Sequence, residues 1–156
     1  MDAKEYLEAY SNYARIEKRC REECKAEREA LREIVQFYNR SATGAWRKEN
    51  AQSIRDCIKF CDRLQERADE AVKEKNAIIE MIESIPGMEG DVLYLRYVDG
   101  LIWEKLCERV FYSWSGVFKC HNHALIMIQE KLDALDHRES REEANLIQEY
   151  EPLIAS

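Results

Sequence analysis

The chain has 156 residues, 46% hydrophobic and 35% charged, with a formal net charge of −7 and only 5 glycines and 2 prolines. Such a composition suits long helices rather than sheets or disorder, and the chain length suits one functional unit. The acidic balance argues against sequence-independent coating of nucleic acid, which relies on neutralising phosphates, so any DNA contact must be local. No run approaches the roughly 18 to 20 apolar residues that span a bilayer, and the opening Met1-Asp2-Ala3-Lys4-Glu5 lacks the layout of a signal peptide. The expectation is a cytoplasmic protein with no membrane partner.

From the N-terminus, Tyr6, Tyr10, Tyr13, Cys20, Cys24, Leu31, Ile34 and Tyr38 recur at near-heptad spacing, with Glu17 and Glu27 interrupting, and predict one long helix over 2–39. Asn39 to Ala45 gathers residue types that favour turns, so the chain reverses there. A second stripe follows: Ile54, Cys57, Ile58, Cys61, Leu64, Ala68, Ala71, Val72, Ile78, Ile79, Ile82 and Ile85. It stops at Pro86-Gly87, because proline disfavours helix in the residue before it. Two arms of about 50 to 60 Å joined by a short connection favour antiparallel packing, which predicts a helical hairpin over 1–85. Its 17 basic and 18 acidic residues nearly cancel, as on a solvated, salt-bridged surface. Such a hairpin could bury remaining apolar surface against a second copy, giving a homodimer.

Cys20 and Cys24, and Cys57 and Cys61, each lie four apart on one helix face. A reversal near Gly44-Ala45 pairs positions summing to about 90, so Cys24 is expected opposite roughly position 66 and the two pairs about 13 Å out of step. Reduced cysteines packed as small hydrophobes are expected, with no metal and no cofactor.

After Pro86 the apolar residues fall in three short helical registers. Val92, Leu93, Leu95, Tyr97 and Val98 predict a helix closed by Asp99-Gly100. A second helix, Ile102 to Val110, turns Trp103, Leu106, Cys107 and Val110 inward, leaving Glu104, Lys105, Glu108 and Arg109 outside. Phe111-Tyr112 makes the turn, and Ser113 is the expected N-cap of the next helix. There Val117, Cys120, Ala124 and Leu125 share one apolar face, while Trp114, Ser115, Phe118, Lys119 and Asn122 face away. The fold expected is all-α, a long antiparallel helical hairpin over 1–85 followed by a helix-turn-helix domain over 86–136. Beyond it the helix continues through Ile126, Ile128, Leu132 and Leu135. The acidic tail 137–156 holds Leu146, Ile147 and Tyr150 in a short amphipathic helix before Pro152, either docked or free.

The run LRYVDGLIWEKL, followed by S-x-x-x-V-x-x-x-H-x-x-A-L, resembles region 4 of bacterial sigma factors and, more closely, phage and prophage late-transcription regulators of the RinA and ArpU types. The opening AKEYL and the charged hairpin look like the same phage group. The resemblance implies that the last motif helix lies in the major groove of double-stranded DNA while the preceding helix braces it on the backbone. It also implies RNA polymerase as a further partner. By position, Trp114, Ser115, Phe118 and Lys119 match base-facing sites; Ser113 and Asn122 complete the expected DNA-binding set. The sequence departs from the sigma pattern in carrying Trp, Ser and Phe where Arg, Glu or Gln usually stand, and 86–136 holds five basic against eight acidic residues. A helix-turn-helix kept as a protein-interaction module is therefore the alternative.

Catalysis has little to stand on. The chain has no glycine-rich phosphate loop, no HExxH pattern and no nucleophile elbow. His121 and His123, two apart on one helix, point about 200° apart and cannot share a metal. His121 is expected as a packing residue, and no enzyme activity is expected.

Overall fold

A computed structural model describes residues 1–155. The protein is all-helical: α1 (Ala3–Arg40), α2 (Gly44–Glu83), α3 (Gly87–Leu93), α4 (Trp103–Val110) and α5 (Trp114–Ile154), with a π-helical turn, Tyr94–Val98, continuing α3. Among the described residues there is no strand, and no helix is long and apolar enough to cross a membrane.

The chain forms two compact units, a central one of Tyr10–Ala77 and a terminal one made of Met1–Ala9 with the chain from Ile78 onward. In the central unit α1 and α2 lie antiparallel. Arg47 of α2 donates to the carbonyl of Tyr38, Cys24 donates to the carbonyl of Cys61, and Lys75 pairs with Glu17 at 3.2 Å. Thr43 caps α2 by accepting from the backbone N–H of Trp46, and the Trp46 ring meets Phe37 edge-on at 4.8 Å. The reversal is thus tight, with α2 already begun at Gly44.

That tightness corrects the expected cysteine register. Paired positions sum nearer 85 than 90 at Tyr38/Arg47 and Cys24/Cys61, so Cys61 lies against Cys24 instead of near position 30. Cys20, Cys24 and Cys61 share one buried cluster with Leu64 and Ala68. All six cysteines are free thiols, and among the described residues no group of three or more His, Cys, Asp or Glu is placed to hold a metal. Burial, and then the neighbouring Cys24, push the Cys61 thiol up. Ile34, expected within the stripe, is 39% exposed.

The terminal unit buries Ala3 and Leu7, which the aromatic stripe of α1 does not include, together with Ile78, Ile82 and Ile85 from the end of α2 and its continuation. The start of α1 is tied to α5: Gln129 accepts from the backbone N–H of Ala3 at 2.8 Å and donates to the carbonyl of Met1. One otherwise orphaned helix N–H is satisfied in this way. Gly87 and Gly100 bracket α3 and its π turn with φ of +74° and +72°, where a side chain would be strained. α5 is one helix of 41 residues with Pro152 in its last turn, and from Asp133 onward its described residues are all exposed. The tail residues Leu146, Ile147 and Tyr150 are therefore a continuation of α5, not a separate helix.

Candidate nucleic-acid interface

Everything that positions the outward face of α5 lies in the terminal unit. Val92, Leu106, Cys107 and Val117 form the buried centre where α3, α4 and α5 meet, with Trp103, Val110 and Cys120 packed around it. Glu104, Lys105, Glu108 and Arg109 stay in solvent. α4 ends at Phe111, which takes the left-handed conformation at φ 58° and is 93% exposed. Glycine is the usual residue in that cap, because a side chain there strains the backbone. Ser113 then takes an extended conformation and accepts from the backbone N–H of Gly116 at 3.1 Å, which starts α5.

The first three turns of α5 present Trp114, Ser115, Phe118, Lys119 and Asn122, all exposed, opposite the buried Val117, His121 and Ala124. The periodicity therefore divides the helix as expected. The aromatic members are braced, however. The Phe118 ring lies 5.8 Å from that of Trp114 and 4.7 Å from that of Trp103, which joins the ridge to the core. Across the Trp103 ring, 4.5 Å from its centroid, lies the Arg96 guanidinium, whose Nη1 also donates to the carbonyl of Leu101. This cation–π contact fixes α4 against the π turn.

Beneath the ridge His121 is 6% exposed. Its Nε2 is 2.7 Å from the Tyr97 hydroxyl, and its ring meets Trp103 edge-on at 4.8 Å. Burial holds the His121 pKa below the ordinary value, helped by Arg96 and Lys4 and opposed by a hydrogen bond that the ring donates to the Asn122 side chain. The lowered pKa favours the neutral ring, and a neutral ring can accept a hydrogen bond from the Tyr97 hydroxyl at Nε2. Burial likewise pushes Tyr97 up to about 12. His123, on the other side of the helix, pairs with Glu89 at 3.2 Å and ties α5 to α3. The Glu89 carboxyl lies below its ordinary value, through its own backbone N–H first and His123 second.

Ser113, Trp114, Ser115, Phe118, Lys119 and Asn122 are thus brought onto one end of one helix. Ser113 spends its side chain on the cap and the Asn122 side chain shares a hydrogen bond with His121, which leaves Ser115, Lys119 and the rest of the Asn122 amide as the polar members. Sequence reasoning missed three supports: the Tyr97–His121 bond, the Arg96–Trp103 contact and the strained Phe111. The first two join positions in separate helices whose facing depends on the π turn, which adds a residue to the helical repeat. Behind the face, the buried His121 is occupied by Tyr97.

No family model, no curated protein and no solved structure matches this chain.

Proposed function

We propose that the protein is a DNA-binding transcription regulator of the phage type, reading duplex DNA with the N-terminal turns of α5. One observation carries the reading: Trp114, Ser115, Phe118, Lys119 and Asn122 project together from the start of a helix anchored by Val117, His121 and Ala124. A recognition helix contacts base edges with its N-terminal residues, and the brace behind it is a second short helix, the part taken here by α4. Lys119 supplies the charge, Ser115 and Asn122 supply hydrogen bonds, and Trp114 and Phe118 offer apolar contact to thymine methyl groups. The domain over 86–136 then serves as a sigma region 4-like helix-turn-helix. The helical hairpin of α1 and α2 serves assembly, as a homodimer, or contact with RNA polymerase.

Titration of the protein into labelled duplex at several salt concentrations, parent beside Lys119→Ala, tests this. Loss of one charge-neutralising contact lowers affinity and reduces the salt slope by about one. Equal binding by parent and variant, or no binding at low salt, would sink the reading.

A specific observation favours the second reading, a protein-interaction module. Phe111 at 93%, Tyr112 at 46% and Trp114 at 51% exposure cluster at the turn, and exposed aromatics of this kind anchor protein interfaces. The same titration decides between the two.

A further inference from the structure

The central unit carries a charged feature that base reading by α5 does not use. Arg21, Lys25, Arg28 and Arg32 recur at spacings of four, three and four along α1. At about 100° per residue they occupy one sector of roughly 60°, and their Cα atoms span about 16 Å. They line a groove of about 330 Å³ together with Cys24 and Glu29 of α1 and Gln65 of α2. All four cations are exposed.

Their partners are few. Arg21 reaches Glu17 at 3.8 Å and Asp69 at 3.7 Å, both loose contacts. Lys25, Arg28 and Arg32 form no ion pair among the described residues. Glu22, Glu29 and Glu33 flank the stripe on α1, yet of the five charged residues that line the groove four are cations. Like charges at these spacings repel one another along the helix, and the single Glu29 in the groove offsets only part of that, so the groove favours an anion. Guanidinium groups match phosphate oxygens two at a time, which favours phosphate over isolated carboxylates.

We propose that this groove binds the phosphodiester backbone of a nucleic acid. Its length spans a short run of successive phosphates of one strand. Contacts of this type set position and affinity without reading sequence. The groove is independent of the α5 interface and stands whether or not that helix reads bases.

The test uses the full chain and two labelled probes of arbitrary sequence, a duplex of about 30 base pairs and a single strand of the same length. Fluorescence anisotropy is followed from about 20 to 200 mM salt. The parent is compared with the triple variant Lys25→Ala/Arg28→Ala/Arg32→Ala and with Arg55→Ala/Lys59→Ala/Arg63→Ala, which removes equal charge from exposed positions of α2. Circular dichroism confirms that both variants stay helical. The groove variant is expected to lose about 2.7 from the magnitude of the duplex salt slope, or about 2.1 with the single strand, whichever source of phosphodiester is bound. Its affinity at low salt falls at least tenfold, and that of the control variant less than threefold. Equal losses in both variants, or no binding of either probe by the parent at about 20 mM salt, would overturn the proposal. Lys119→Ala, run alongside, keeps the two readings apart, because it weakens binding through α5 and leaves the contribution of the groove variant unchanged.

Discussion

Gly90→Ala sets two effects of opposite sign against each other. Alanine is the better helix former by about 0.8 to 1.0 kcal/mol, so propensity alone makes the substitution stabilising. Gly90, however, is buried within α3, and a Cβ there would stand 2.1 Å from the Ile85 carbonyl oxygen and 3.2 Å from the Ile85 carbonyl carbon. The obstacle is backbone and cannot rotate away. It belongs to the Ile85-Pro86-Gly87 link, which Pro86 stiffens and the buried Ile85 side chain anchors. Relief needs a shift on the order of 1 Å in a packed interior, and overpacking of this kind costs typically 1–3 kcal/mol or more. So close a backbone approach puts the cost at the upper end of that range, about 3 kcal/mol, so the clash wins with a net loss of about 2 kcal/mol, or roughly 4 to 8 °C in Tm for a chain of this size. Urea and thermal unfolding followed by circular dichroism read this directly. Gly116→Ala is the control: its nearest neighbours are Ser113 Oγ at 3.4 Å and the Tyr112 ring at 3.5 Å, so it should be neutral or mildly stabilising. An unchanged or raised Tm for Gly90→Ala would refute the reasoning and with it the close approach of α3 to Ile85.

Ser113→Ala removes the hydroxyl that accepts from Gly116 N–H, and should lower stability by about 1 kcal/mol in urea unfolding while Ser113→Asp retains the cap. Of the 8 tyrosines, Tyr97 should resist ionisation in a spectroscopic alkaline titration until about pH 12, and Tyr97→Phe should remove that late step. Because His121 has a folded pKa below its unfolded value of about 6.5, the unfolded chain binds the proton more readily. Stability from this site is therefore complete above about pH 6.5 and declines as pH falls through the lower folded pKa. A urea-midpoint profile that is less steep in this acid range in His121→Gln than in the parent is the expected sign, and identical profiles would contradict it.

Much of this was legible in the chain, for identifiable reasons. The three- and four-residue spacing of Val117 and Ala124 against Trp114, Ser115 and Lys119 depends on helix geometry alone, and so does the Ser113 cap. The inward set of α4, Leu106 and Cys107 with Trp103 and Val110, follows from the same period. What escaped depends on where helices meet. The Cys24–Cys61 contact turns on whether α2 begins at Gly44 or a few residues later, a boundary that turn-forming residue types do not resolve. The π turn Tyr94–Val98 breaks the period that placed Tyr97 among the apolar residues, and so hid its bond to His121. Phe111 sits where a glycine would have announced a left-handed cap, so the sequence shows a turn there but not its strain. Gly90 gives no local sign at all: its constraint comes from the Ile85 carbonyl across the link.

The most direct measurement is amide and indole chemical-shift mapping of the full chain titrated with duplexes enriched from a randomised pool. If α5 reads DNA, the largest shifts fall on Trp114, Ser115, Phe118, Lys119 and Asn122, including the Trp114 indole N–H, while Val117 and Ala124 move little. A titration that leaves those five fixed, with shifts elsewhere or none at low salt, would contradict it.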